Sequence, residues 1–104
     1  MIMRLVWLMF AHFIGDIALQ SEWIALNKGK YWICMVWHSM IWTAIICLVL
    51  EYFDLVTLWK IAFLFIGHYG CDLWKCRTTD KFPSWHLYAD QGWHLVQVIL
   101  VGIL

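Results

Sequence analysis

The chain of 104 residues has a single proline, only 13% charged residues and no net charge. Each shortage excludes something. A chain so poor in charge and proline is not a disordered segment. Without an excess of Lys and Arg it lacks the electrostatic footprint of a nucleic-acid binder. The cysteines, Cys34, Cys47, Cys71 and Cys76, show no C-x-x-C spacing, so they read as small packing residues with Cys71 and Cys76 as minor ligand candidates. No phosphate-cradling glycine loop and no nucleophilic Ser or Cys motif is visible.

Apolar residues are what the chain has instead, at 64% of the total. A soluble domain averages a little under half apolar and about a quarter charged, so the composition is that of a membrane protein. At about 20 residues per crossing, this length supplies at most four helical spans. Four segments qualify: 2–19, 31–50, 55–74 and 85–104. The expected fold is therefore all-α, a single domain over 1–104 built as an integral-membrane bundle of four antiparallel transmembrane helices. The stretches between them carry the polar punctuation, and Ser84 after Pro83 suits the N-cap of the last helix. His12 and Asp16 interrupt the first segment and no A-x-A pattern follows, so it reads as an uncleaved span.

Lys28, Lys30, Lys75, Arg77 and Lys81 fall in or beside the loops after the first and third spans, against Arg4 and Lys60 on the other face. That bias makes those two loops cytoplasmic and puts both termini on the far side. Lys60, near the start of the third span, is expected to snorkel. Many of the nine Trp and four Tyr lie near predicted span ends, where amphipathic rings favour the headgroup region.

The informative residues are ionisable ones inside the apolar segments, which are costly there and usually face the bundle interior. The first span carries His12-x-x-x-Asp16-x-x-x-Gln20, the third His68-x-x-x-Asp72, and the fourth His86-x-x-x-Asp90-x-x-x-His94. Each step is one helical turn on one face. The second span adds His38-Ser39. Five His and five Asp placed at random would give roughly 0.5 pairs at that separation, whereas the sequence has four.

Two explanations compete. In the plainer one, each His bonds the Asp one turn away as polar glue, worth about 0.2–0.5 kcal/mol per pair. Three buried Asp cost about 2.5–3.5 kcal/mol each, so pairing offsets only part of that. A divalent ion compensates more fully, since imidazole and carboxylate are the ligand set of zinc, manganese and iron. The candidate ligands are His12, Asp16, His38, His68, Asp72, Asp90 and His94, a number generous for one ion and suited to two. Asp72 and Asp90 are the candidate catalytic carboxylates. A lone His on an aromatic helix, as His38 is, is commonly a packing residue. His86 suits an interfacial or gating role, and Gln20 and Gln91 suit outer support or ordinary helix contacts.

These motifs resemble a family of small bacterial and phage integral membrane proteins carrying a domain of unknown function. The resemblance rests on Ala11-His12-Phe13-Ile14-Gly15-Asp16 with Leu19-Gln20 and Trp23, on His38-Ser39, on His68-x-x-x-Asp72, and on Asp90-Gln91-x-x-His94. It implies a bacterial inner-membrane location and supplies no activity. His38-Ser39 and His68/Asp72 are also similar to motifs of inner-membrane proteins regarded as metal-dependent hydrolases. The expectation is thus a metal-dependent hydrolase of a lipid or lipid-linked phosphoester, using metal-activated water. Its partners are membrane lipid and the metal. Two alternatives are a metal or proton carrier or channel subunit, acting as a homo-oligomer, and a structural or regulatory membrane subunit whose metal holds the bundle together.

Overall fold

The computed structural model describes residues 1–78 and 85–104. Every regular element among them is helical: α1 (Ile2–Phe13), a π-helical segment (Ile14–Ala18), α2 (Glu22–Asn27), α3 (Trp32–Tyr52), α4 (Leu58–Thr78) and α5 (Trp85–Ile103). Ser84, expected as an N-cap, lies with Asp80, Lys81 and Pro83 outside the described residues.

Local chemistry sets the breaks. Ser21 caps α2, its Oγ accepting the Ile24 N–H at 3.1 Å. After α3 the chain reverses through Asp54, at φ 58°, a left-handed conformation that Asp tolerates better than most residues. There the Leu55 N–H donates to Leu50 O at 2.8 Å and the Asp54 N–H to Glu51 O at 3.0 Å. This pair of bonds is the Schellman arrangement, with Asp in the place usually taken by glycine.

The four long helices form a ring in which α1 packs on α3 and α5, and α4 on the same two. They alternate in direction: Leu8 lies near Gly102 while His12 and Asp16 reach Gln91, and Asp16 and His12 meet His38 and Trp42. The interior is divided along its length. Toward the α3–α4 turn it is filled by Leu8, Ile46, Leu50, Leu64, Val98 and Val101. Toward the opposite end it holds His12, Asp16, His38, Ser39, His68, Asp72, Asp90 and His94, all buried.

The outer surface is apolar, with Leu58 at 83%, Ile2 at 77%, Trp32 at 70% and Ile66 at 68% exposure. Among the described residues, α3 is the one helix long and apolar enough, by length and composition, to cross a membrane. Lys60, Asp72 and Lys75 in α4 and Asp90 and His94 in α5 dilute the hydropathy of those helices. Lys60 does not snorkel. It is buried, with its ammonium 5.8 Å from the centre of the Trp59 ring, within reach of a cation–π contact.

Candidate metal centre

The π-helical segment is the first structural determinant of the site. The Leu19 N–H reaches back to Ile14 O at 2.8 Å, one residue further than in an α-helix, and this turns the following side chains out of the α-helical register. Gly15 allows it to sit tightly on α3, since a Cβ there would lie 3.1 Å from the Trp42 Cα. Asp16, inside this segment, points across the bundle. Its Oδ1 lies 3.1 Å from His38 Nε2 and 3.2 Å from His68 Nε2, and its Oδ2 accepts from Gln91 Nε2 at 2.8 Å.

His38 Nε2 is also 3.3 Å from Asp72 Oδ2. Asp16, His38, His68 and Asp72, all buried, each offer a ligand atom within 4.8 Å of the others. The Ser39 hydroxyl faces His68 Nδ1 at 3.4 Å, and a hydroxyl serves there as donor or acceptor. A second set lies beside the first: Cys71, Asp90 and His94, again with ligand atoms within 4.8 Å of one another. The His68 and His94 rings stack at 4.3 Å between the two sets.

His12 belongs to neither set. Its Nδ1 accepts the Trp42 indole N–H at 3.0 Å, so its Nε2 carries the proton and donates to Gln91 Oε1 at 2.8 Å. Gln91 Nε2 in turn donates to Asp16. The chain from Trp42 through His12 and Gln91 therefore runs in one direction and ends on the Asp16 carboxylate, each bond polarising the next. His12 supports the Asp16 carboxylate from behind. His86 also stands outside both sets, its ring 4.0 Å from that of Trp85 and 5.2 Å from that of Trp74.

Pairing along one helix is not the main theme. Of the His/Asp pairs spaced one turn apart, His94–Asp90 is in direct contact, at 3.0 Å. The contacts of His38 with Asp16 and Asp72, and of His68 with Asp16, cross between helices. The lysines also behave differently from loop charges. Lys28 is buried, with Nζ 2.8 Å from Asp72 Oδ2 and 2.7 Å from Gln20 Oε1. Lys75 Nζ spans 3.4 Å to Asp72 Oδ1 and 3.1 Å to Asp90 Oδ2. These two ammonium groups offset part of the charge of three carboxylates. Nothing in the sequence pattern marks them, because a lysine at a helix end normally reaches for water.

Gln97 is the other support missed by spacing. Its Nε2 donates to Phe63 O at 2.9 Å and Leu64 O at 3.4 Å, which leaves Oε1 as the acceptor 3.2 Å from His94 Nδ1. Its amide lies over Gly67, where an added Cβ would collide with it. Gly67→Ala gains about 1 kcal/mol of helix propensity. It also forces the Gln97 amide off its carbonyls and strands His94 Nδ1, at about 1–3 kcal/mol for each buried group left unpaired. A folded protein destabilised by about 1–5 kcal/mol is expected in denaturant unfolding, and unchanged or raised stability would contradict this packing.

Fold and site together define an all-helical bundle with a carboxylate–imidazole cluster in its interior. The chain belongs to the family described as protein of unknown function DUF3307, whose pattern matches residues 4–104. No curated protein and no solved structure matches it.

Proposed function

We propose that the protein is an integral-membrane bundle whose four long helices all cross the bilayer, with a divalent metal centre in one half of its interior. Its activity on this reading is metal-dependent hydrolysis of a lipid or lipid-linked phosphoester. The membrane part is supported by the inverted distribution of polarity. Large apolar side chains are exposed on all four long helices while His, Asp and Gln fill one half of the inside. Exposed large apolar side chains on this scale mark a surface made for an apolar surrounding.

The single observation that carries the metal is the spacing of the Asp16, His38, His68 and Asp72 atoms. Bonds of about 2.0–2.1 Å in a tetrahedral site place neighbouring ligands about 3.3 Å apart; three of the six separations here are 3.1, 3.2 and 3.3 Å and the others lie within 4.8 Å. Both Asp72 oxygens, Asp90 Oδ1 and His94 Nε2 are buried without an aligned hydrogen bond. These atoms meet Lys28, Lys75 and each other as ion-pair contacts, and a divalent ion would add the directed bonds those contacts lack. When bound, a divalent ion supplies Lewis acidity and a water acidic enough to attack an ester at neutral pH. Lys28 and Lys75, at the polar end, suit the charge of a phosphate group.

The apolar half of the bundle speaks against a conduit. Leu8, Ile46, Leu50, Leu64, Val98 and Val101 fill it, and on this reading the polar network lies in the half of the bundle nearer one membrane face, where lipid headgroups would meet it. The test is metal content per chain of protein purified in detergent from membranes, beside turnover of phospholipid substrates, for wild type and Asp72→Asn. Bound metal and phosphoester cleavage in the wild type, with metal content lowered and cleavage lost in the variant, are expected. Metal without cleavage would reduce the reading to a structural centre, and a metal-free, inactive wild type would overturn it.

A further inference from the structure

Two sets of ligands occupy the bundle interior, and they differ in number and in chemistry. Asp16, His38, His68 and Asp72 supply four donors, enough to close a tetrahedral ion, as structural sites do. Cys71, Asp90 and His94 supply three. Three protein ligands leave one coordination position free, which is the pattern of sites that bind water or substrate.

The geometry points to a second, thiolate-bearing metal position at Cys71, Asp90 and His94, with the open coordination place at which substrate is engaged. This rests on the metal-centre reading above and assigns its reactive position.

The orientation of His94 carries the argument. Gln97 is held by two backbone carbonyls, so its Oε1 must face His94 Nδ1, which therefore carries the ring proton. Nε2 faces Asp90 Oδ1, 3.0 Å away, an ion-pair contact when Nε2 is also protonated, and neither atom has an aligned hydrogen bond. Both residues are fully buried. A divalent cation taken up in place of an Nε2 proton would bind both atoms. A ligating His normally donates its other N–H to a carbonyl oxygen, and the Gln97 carbonyl plays that part.

Cys71 adds a soft donor that the first set lacks. Thiolate ligation selects zinc-like, thiophilic ions over magnesium or calcium. Binding takes the proton from the Cys71 thiol and releases it to water, after which thiolate and Asp90 together balance a divalent charge. Lys75, touching Asp90 and Asp72, then stands next to the open position, where it meets an anionic substrate oxygen.

Cobalt(II) titration of the tag-free, full-length protein in detergent tests this, because thiolate ligation gives a near-ultraviolet sulfur-to-cobalt charge-transfer band. Wild type is expected to bind two equivalents and show the band. Cys71→Ser should fall to one equivalent and lose it, and Asp72→Asn should lose the other equivalent and keep it. If Cys71→Ser binds no cobalt at all, Asp72→Asn decides: a retained band supports the site and a lost band overturns it. A wild type saturated without the band, or a band that survives Cys71→Ser, also overturns it. The readout is spectral, so failure of the hydrolase reading leaves the test standing, whereas binding of one band-free equivalent refutes the second position alone.

Discussion

Replacing Lys28 by Met should destabilise the metal-free protein strongly and make its stability depend on added metal. Lys28 is buried, and its ammonium lies 2.8 Å from Asp72 Oδ2. Removing one member of a buried ion pair costs about 3–5 kcal/mol, because the other charge is left without compensation. Asp72 keeps His38 at 3.3 Å and Lys75 at 3.4 Å, both more distant contacts, which places the loss toward the lower part of that range. A divalent ion bound by Asp72 replaces the missing positive charge. Zinc or manganese should therefore raise the unfolding temperature more in Lys28→Met than in wild type, and chelator should widen the gap between the two proteins. Equal metal shifts in both would show that Lys28 and the ion do not compensate the same carboxylate.

Asp16→Asn should abolish high-affinity metal binding at the four-ligand set, weakening it by at least about 100-fold, the upper end of what loss of even an outer-shell partner does. The substitution preserves shape and removes the charge. Asn also brings a donor to the place where Gln91 is the donor. Gln91 Nε2 already donates to Asp16 Oδ2, while His38 and His68 present Nε2 to Oδ1. An Asn NH2 on the Gln91 side faces that donor, and one on the histidine side replaces the oxygen that would ligate the ion. Gln91 cannot simply invert in response, because its Oε1 accepts from His12, whose other nitrogen is held by the Trp42 indole. Calorimetric titration in detergent is the measurement. Affinity within threefold of wild type would remove Asp16 from the ligand set, and a normal affinity in Asp72→Asn beside it would remove the site.

The polar stripe was readable because a one-turn repeat of His and Asp inside apolar helices has few innocent explanations. Which His meets which Asp was not. His12 and Asp16 are one turn apart in sequence, yet the π-helical register at Ile14–Ala18 sends Asp16 to His38 and His68 while His12 turns to Trp42 and Gln91. Spacing reports the face of a single helix, whereas these contacts depend on the rotation and offset of neighbouring helices. Lys28 and Lys75 escaped for a related reason. A long flexible side chain at a helix end reaches either water or an interior carboxylate, and only the position of Asp72 and Asp90 across the bundle decides between them.

By itself the sequence determined the all-helical class, the family, and the cast of carboxylates and imidazoles, since apolar composition and helical periodicity are properties of the chain alone. Tertiary structure decided the division of the interior into a mainly apolar half, where Lys60 is also buried, and a polar half, the separation of the candidate ligands into a four-donor and a three-donor set, and the placing of Cys71, Gln97 and the two lysines beside them. Those features are distances between helices. Packing sets them, through close approaches such as Gly15 on Trp42 and Gly67 under Gln97, where the lack of a side chain lets two backbones come near enough for groups distant in sequence to share one small volume.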